Sequence, residues 1–169
     1  NILFMRFVET PLTGAFLVGL DRLEDDRGFF ARSFCRREFE VAGLNPAVLQ
    51  CNVSRNRYNG TLRGMHYQVS PFEEAKLVRV TSGAIFDVIV DLRPTSSTFA
   101  RWFGQELTEV NHTGLYVPEG FAHGFLTLAD NTEVFYQMSN YYSPEHSRGL
   151  RFNDPAIGIA WPSPIKTIS

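Results

Sequence analysis

Short runs that alternate between hydrophobic and polar residues recur along the chain, with turn-forming residues between them. Alternation with a period of two is typical of β-strands, because successive side chains of a strand point to opposite sides. The clearest runs span residues 76–80, 84–92, 102–107, 114–117, 124–128 and 132–138. Turn signals rich in Gly, Asn and Pro lie at residues 58–60, 82–83, 118–120 and 130–131. This spacing predicts a β-sandwich or a β-barrel.

The run at residues 84–92 has two different faces. Its even-numbered positions are all hydrophobic, whereas its odd-numbered positions include Asp87 and Asp91. We therefore predict that this strand has one dry side and one mixed side, because side chains alternate across a strand.

Helical signals are sparse. Residues 35–42 are long enough for two turns, with Ser33 near the start and Gly43 as a stop signal. Residues 143–146 contain Pro144 at the start of a further short turn, a position that proline favours. No repeat or flexible linker divides the chain. We predict a single all-β domain over residues 1–169, built as a jelly roll with a few short helices and an open mouth for a ligand.

Composition and charge exclude several classes of partner. The 169 residues carry a formal net charge of -2 with scattered arginines, which is not the footprint of a nucleic-acid-binding protein. The apolar run at residues 15–20 is too short to cross a membrane and lacks the flanks of a signal peptide. Cys35 and Cys51 are interpreted as reduced thiols, so we expect a cytoplasmic protein. Met5 is a candidate for the natural start, with residues 1–4 as an upstream extension.

Residues 60–68 hold a guanidinium, an imidazole, a phenol and an amide between glycines that would let the backbone approach a ligand closely. Arg63 suits a phosphate or a carboxylate, because its planar fork binds two oxygens at once. His66 titrates near neutrality without special help. We interpret His66 as a general base and Arg63 as the anchor of an anionic substrate. Lys76 starts the next strand-like run.

Other polar residues gather around this stretch in sequence. Gln50, Asn52 and Ser54 alternate, so a strand would project all three to one side, where either a ligand or water would satisfy them. His123 and Tyr136 are further candidates. Taken singly, a lone histidine is more often structural, Tyr136 more often belongs to a core, and Lys76 is equally consistent with a surface charge.

Several kinds of active site find no support in the sequence. Residues 64 and 68, two on either side of His66, are Gly and Gln, so no His-x-His pair is present to chelate a metal. The chain has no Gly-x-Ser-x-Gly elbow, no Walker pattern and no dinucleotide fingerprint. We therefore expect a pocket without a metal or another cofactor.

The order of these motifs resembles the dTDP-4-dehydrorhamnose 3,5-epimerase family over about residues 11–165. The most specific match is Leu-Arg-Gly-Met-His-Tyr-Gln at residues 62–68, followed by Lys-Leu-Val-Arg-Val at residues 76–80. Further matches lie at residues 26–30, 50–54, 87–93, 117–125, 136, 153–155 and 161–162.

The resemblance implies a cupin-type jelly roll, usually a homodimer, that acts without a metal on a thymidine-diphosphate-linked 4-keto sugar. The implied reaction inverts stereocentres beside the ketone in deoxysugar biosynthesis of the rhamnose type. By resemblance, His66 removes a proton from the carbon next to the carbonyl, and Tyr136 returns one from the opposite face. Lys76 is the cation beside the sugar oxygen.

The resemblance also implies which residues bind the substrate. Arg63 would hold the diphosphate, and the pocket would be lined by Gln50, Asn52 and His123. Arg27 and Phe29 match a segment that reaches the nucleotide, often across the dimer interface. Tyr142 is a further match.

Two departures from the family pattern leave alternatives open. Arg32 stands where the family generally has Glu, which bears on recognition of the base. The family's carboxylate partner for the catalytic histidine lies in a Ser-x-Lys-Asp segment that would begin at Ser169, so Asp87 is an alternative carboxylate to orient His66. A protein that binds a sugar nucleotide without turnover and a metal-dependent cupin oxygenase or isomerase are the alternative functions.

Overall fold

The computed structural model describes residues 4–169, so residues 1–3 of the suggested upstream extension lie outside it. Helical structure consists of α1 (Arg36–Val41) and one turn of 3-10 helix (Pro144–His146). The strands are β1 (Met5–Glu9), β2 (Phe16–Leu20), β3 (Arg22–Asp25), β4 (Gly28–Ala31), β5 (Gln50–Asn56), β6 (Thr61–Gln68), β7 (Lys76–Ser82), β8 (Ala84–Asp91), β9 (Trp102–Thr108), β10 (Gly114–Val117), β11 (Phe121–Thr127), β12 (Thr132–Met138), β13 (Ser147–Gly149) and β14 (Thr167–Ile168).

Two six-stranded sheets form the body of the protein. The first has the order β1-β2-β10-β7-β12-β5, and all its neighbours are antiparallel. The second has the order β13-β6-β11-β8-β9, with β14 added parallel to β6. β3 and β4 form a separate two-stranded hairpin. The predicted all-β jelly roll with short helices is confirmed.

The main core lies between the two sheets, where Val78 and Val80 of β7 pack with Ile85 and Ile89 of β8. The even-numbered side of β8 is also buried, because Val88 and Val90 belong to a cluster packed against residues 157–161 near the C-terminus. Both faces of β8 are therefore buried, and the face that carries Asp87 and Asp91 points between the sheets. This orientation places a carboxylate, Asp87, inside the protein with no exposed surface.

Most of the strands follow the predicted runs. β7, β8, β9, β10 and β12 agree with them within two residues at each end. β11 starts at Phe121, three residues before the predicted run, because the segment that follows the turn at Gly120 pairs directly with β8. The two predicted helices are also present. Neither helical segment within residues 4–169 has the length and apolar character needed to cross a membrane.

The stretch at residues 60–68 forms β6, which was not among the predicted strands. Gly64 has a φ of +107°, and a Cβ there would lie 2.6 Å from the Cα of Gly124 and 2.6 Å from the carbonyl oxygen of His123. This glycine therefore lets two strand backbones approach each other, rather than a ligand as expected. The pairing of β6 with β11 is irregular at this point.

The irregularity at Gly64 brings two side chains of β6 to the same cavity. In a regular strand, Arg63 and His66 would face opposite sides because they are three residues apart. In the structure both line one cavity. Two functional groups that strict alternation would separate are therefore brought together.

Candidate active site

A cavity with two lobes opens between the sheets. The lobes have volumes of about 350 Å³ and 370 Å³, and both are lined by His66, Lys76 and Tyr136. Side chains that line only the first lobe include Gln50, Asn52, Glu74 and Tyr142. Those that line only the second include Ser54, Arg63, His123 and Ser169. The cavity thus brings together most of the residues singled out from the sequence.

The three shared residues come from opposite walls of the jelly roll. His66 lies on β6 of the second sheet, whereas Lys76 and Tyr136 lie on β7 and β12 of the first sheet. The register of β12 against β7 pairs Tyr136 with Val78, two residues from Lys76. A flat ring bound between the walls would therefore meet an imidazole on one face and a phenol on the other.

The surroundings of His66 favour its neutral form. Partial burial lowers the pKa of His66, and the nearby positive charges of Lys76 and His123 lower it further. His123 is its partner across the β6–β11 ladder. A neutral imidazole has a free nitrogen that can accept a proton. Within residues 4–169, no carboxylate forms a hydrogen bond to His66.

Asp87 does not orient His66, so that expectation is wrong. Its Oδ1 lies 2.6 Å from Nε2 of His123, and both side chains are buried. The physical reason is the strand order: β11 lies between β6 and β8, so the histidine of β11 is the one that meets this carboxylate. The second oxygen, Oδ2, is buried without a hydrogen-bond partner among the described residues.

Lys76 is not a surface charge. Its side chain is 11% exposed, and its Nζ lies 3.3 Å from Oε1 of Glu74, whose side chain is 4% exposed. Sequence reasoning missed Glu74, which lies in the loop before β7. The only signal was the Glu-x-Lys spacing, since residues two apart in extended chain face the same side.

Arg63 is aimed by a residue that sequence reasoning also missed. Its Nε donates a hydrogen bond of 2.7 Å to Oδ1 of Asn56, which is 2% exposed at the end of β5. The terminal nitrogens of the guanidinium have no partner in the part of the chain that the structure describes. Arg63 is thus fixed at its inner nitrogen, with its outer fork at the cavity.

β5 presents the polar face predicted from its alternation. Gln50 and Asn52 line the first lobe, and Ser54 lines the second, which Val53 and Arg55 also line. Cys51 is exposed and lines neither lobe. Oε1 of Gln50 also accepts a hydrogen bond of 3.1 Å from the backbone N–H of Tyr142. This bond helps to place Tyr142 at the mouth of the first lobe.

The loops around the first lobe are tied together by Gln68, whose role was not predicted. Its amide donates to the carbonyl oxygens of Phe72 at 2.7 Å and Tyr141 at 3.1 Å. It also accepts a hydrogen bond of 2.7 Å from the backbone N–H of Ser143. The side-chain amide of Gln68 is therefore occupied by hydrogen bonds within the protein, and Gln68 is only 5% exposed.

Comparison with known proteins identifies the family. The family model for dTDP-4-dehydrorhamnose 3,5-epimerase matches residues 9–169. The chain belongs to this family. A dTDP-4-dehydrorhamnose 3,5-epimerase from Sinorhizobium fredii is 42% identical over 158 residues, which cover 94% of this chain and 81% of the relative.

Solved structures of relatives share the architecture. The dTDP-4-dehydrorhamnose 3,5-epimerase from Bacillus anthracis, with TDP and PPi bound, superposes with a TM-score of 0.94 at 43% identity, covering 98% of this chain and 95% of that one. The dTDP-6-deoxy-D-glucose-3,5-epimerase from Legionella pneumophila, in complex with dTDP-4-keto-L-rhamnose, gives a TM-score of 0.91 at 36% identity, covering 98% and 88%. The cupin-type jelly roll of this epimerase family is therefore the fold of the chain.

Arg27 and Phe29, the two residues matched to the nucleotide segment of the epimerase family, do not join the cavity of their own chain. They lie on the β3–β4 hairpin, which lines a separate surface depression. Arg27 pairs with Asp25 at 2.6 Å in an exposed position. Phe29 is 44% exposed and meets the ring of His112 edge-on at 4.8 Å. These two candidates are therefore separated from the other eight.

Arg32, which replaces the Glu of the epimerase family pattern, forms an ion pair of 3.0 Å with Glu38 of α1. Its side chain is 40% exposed.

Elsewhere, His146 is bonded to the hydroxyl of Ser143 at 2.7 Å. Across residues 4–169, no three His, Cys, Asp or Glu side chains are grouped so that they could hold a metal ion.

Proposed function

We propose that the protein is an isomerase that epimerises a dTDP-4-keto-6-deoxyhexose at C3, at C5 or at both, in deoxysugar biosynthesis. The observation that carries this proposal is the position of His66 and Tyr136 on facing sheets of one cavity that Lys76 also lines. Inversion requires that a proton leaves one face of a carbon and arrives at the other. One residue cannot serve both faces, but two on opposite walls can.

In the proposed reaction, His66 takes the proton from the carbon beside the ketone. The C–H bonding electrons move into the enolate, and the negative charge on its oxygen is met by the ammonium group of Lys76. Tyr136 then gives a proton to the same carbon from the opposite face, while the carbonyl re-forms. A positioned general base contributes about 10²–10⁴ in rate. A preplaced donor at the developing oxyanion contributes about 3–4 kcal/mol.

The remaining cavity residues are proposed to hold the nucleotide sugar. The outer fork of Arg63 suits a diphosphate, because a guanidinium can donate two parallel hydrogen bonds to phosphate oxygens. Gln50, Asn52, His123 and Tyr142 are proposed as further contacts. Binding energy from the diphosphate would then hold the sugar carbons in reach of His66 and Tyr136.

Deuterium exchange tests the proposal. The protein is incubated with the 4-keto sugar nucleotide in heavy water, after treatment with a chelator, and the sugar is examined by NMR. Label at both C3 and C5 is expected for a double epimerase, and label at C3 alone for a single-site epimerase. A folded sample that incorporates no deuterium would contradict the proposal. The same exchange experiment can be repeated with Tyr136→Phe. Its control is Tyr58→Phe, which makes the same substitution at a tyrosine that is 69% exposed.

We also propose that the protein acts as a homodimer. Arg27 and Phe29 lie outside the cavity of their own chain, on an exposed hairpin that also carries Phe30, 68% exposed. A second copy is the simplest neighbour to which these residues could contribute. Light scattering with size-exclusion chromatography tests this, and the mass of a single chain at working concentration would contradict it.

A further inference from the structure

The ion pair between Glu74 and Lys76 has no role in the reaction described so far. Both side chains are almost fully buried, and Oε1 of Glu74 lies 3.3 Å from Nζ of Lys76. No other carboxylate within residues 4–169 pairs with Lys76. Both residues line the first lobe, so the pair belongs to the cavity wall rather than to the protein surface.

Glu74 is held by little other than Lys76. Its second oxygen, Oε2, is buried and has no hydrogen-bond partner in the described part of the chain. Burying a carboxylate without partners is unfavourable, and a buried ion pair is rarely a net gain in stability over apolar packing. A purely structural explanation of Glu74 is therefore weak. A functional explanation is that the carboxylate acts on the lysine.

An ammonium group in a cavity wall has two requirements if it is to stabilise an enolate oxygen. It must remain charged, although burial favours the neutral amine unless a negative charge lies nearby. It must also point in one direction, although lysine has a long and flexible stem. A carboxylate on the wall meets both requirements, because it favours the charged form and fixes one of the three N–H directions.

We propose that Glu74 is a positioning residue, which holds the ammonium group of Lys76 charged and directed at the oxygen of the bound ketone. This inference rests on the role of Lys76 in the proposed function. Glu74 itself contacts Lys76 and not the reacting carbon. The other titratable or charged side chains that share a pocket with the lysine come from β5, β6, β10, β11, β12 and the loop after β12, and they are Arg55, Arg63, His66, Tyr67, Tyr116, His123, Tyr136 and Tyr142. None of them is a carboxylate, so Glu74 is the group that supplies the counter-charge.

The two-lysine composition of the chain makes a direct test feasible. Lys76 and Lys166 are the only lysines in the sequence. Isotope-labelled lysine therefore gives two ε-methylene NMR signals, which report the charge and mobility of each ammonium group, and Lys76→Met assigns them. Lys166 is an internal reference, because it is exposed and donates to Oδ1 of Asn59 at 2.6 Å.

In Glu74→Gln we expect the ε-methylene signal of Lys76 to show greater mobility than in the wild type, while the Lys166 signal stays unchanged. Glu74→Asp, which keeps the carboxylate, should recover part of the wild-type order. Glu73→Gln is the matched control, because it makes the same change in a neighbouring side chain that does not line the cavity. If Glu74→Gln does not fold, Glu74→Ala is judged by the same criteria.

Kinetics supply the second readout. Glu74→Gln should lower kcat for deuterium exchange about 10- to 100-fold, because a displacement of about 1 Å at a reacting centre can cost about 100-fold. KM should change less than about threefold, since the enolate exists only after binding. In a Lys76→Met background, Glu74→Gln should cause no further loss, because both changes act through one ammonium group.

The outcomes separate this inference from the proposed function. An unchanged Lys76 signal in Glu74→Gln would overturn the inference, whether or not the protein turns over its substrate. Additive losses of kcat in the double variant would also overturn it, because Glu74 would then act independently of Lys76. Absence of exchange in the wild type would count against the proposed function instead, and the NMR comparison would still decide whether Glu74 controls Lys76.

Discussion

The cavity and the β3–β4 hairpin each carry an arginine that was singled out from the sequence, but one arginine is held inside the protein and the other lies in solvent. In the cavity, Arg63 is fixed by a buried asparagine and lies in the same wall as His66. On the hairpin, Arg27 pairs with Asp25 in solvent, and Phe29 is 44% exposed. The two sheets of one chain thus assemble the groups proposed for proton transfer, whereas the groups matched to the nucleotide segment lie outside.

This difference divides the proposed site into two parts with different origins. Strand order and register fix the positions of His66, Lys76 and Tyr136, so changes there should act on the chemical step. The hairpin residues Arg27 and Phe29 are not placed beside the cavity of their own chain. Changes there should therefore act on binding of the nucleotide in a second copy of the chain.

The largest effect is expected from His66→Asn, which removes the proposed base from the cavity. Loss of a general base lowers the rate by about 10²–10⁴. Deuterium exchange followed by NMR measures the loss. His146→Asn is the control, because His146 does not line the cavity and is bonded instead to the hydroxyl of Ser143. Exchange in His66→Asn at the wild-type rate would remove His66 from the mechanism.

Gly64→Ala should disrupt the assembly of the cavity wall. The new Cβ would lie 2.6 Å from two backbone atoms of β11, at a φ of +107°. We expect a loss of about 3 kcal/mol in the free energy of unfolding, measured by chemical denaturation. Gly158→Ala is matched in having a positive φ but meets nothing within 4 Å, so a loss of only about 1 kcal/mol is expected. Equal losses in both variants would show that the close approach of β6 and β11 is unimportant.

Phe29→Ala should affect binding more than chemistry. Loss of one aromatic contact to the nucleotide is worth about 0.5–1.5 kcal/mol, which corresponds to a rise in KM of about 2- to 10-fold with kcat nearly unchanged. Phe99→Ala, at another half-exposed phenylalanine, provides the baseline. A fall in kcat as large as that of a cavity variant would erase the distinction between cavity and hairpin.

The smallest expected effect is a shift in pH dependence. The neutral imidazole accepts the proton, so kcat/KM should rise with pH through the pKa of His66. Because burial and the charges of Lys76 and His123 lower that pKa, the rising limb should lie below the ordinary histidine value of about 6.5. Lys76→Met removes one of these charges and should move the limb to higher pH. A limb that stays in place in this variant would contradict the electrostatic account.

The sequence predicts the strands better than it predicts the cavity. Alternation identifies β7, β8 and β12, because these strands keep a regular period of two. β6 escapes detection because Gly64 interrupts that period at the irregular point of the strand. Glu74 resembles an ordinary loop carboxylate, and only the three-dimensional contact with Lys76 distinguishes it.

The error over Asp87 has a topological cause. The pattern places Asp87 on the mixed face of β8, but it indicates neither the burial of that face nor the partner of the carboxylate. That partner depends on β11 lying between β8 and β6, and strand order is not a local property of the sequence. For the same reason, the spacing of His66 and Tyr136 along the sequence does not predict that they lie on opposite walls of the cavity; the arrangement of the two sheets places them there.

The most direct test of the central claim is the configuration of sugar nucleotide recovered from Tyr136→Phe in heavy water. This variant keeps the proposed base but loses the proposed acid on the opposite wall. We expect deuterium to enter the substrate beside the ketone with its configuration retained, because a proton removed by His66 can return only to the same face. Inversion by Tyr136→Phe at the wild-type rate would contradict the claim that the two walls divide the proton transfer.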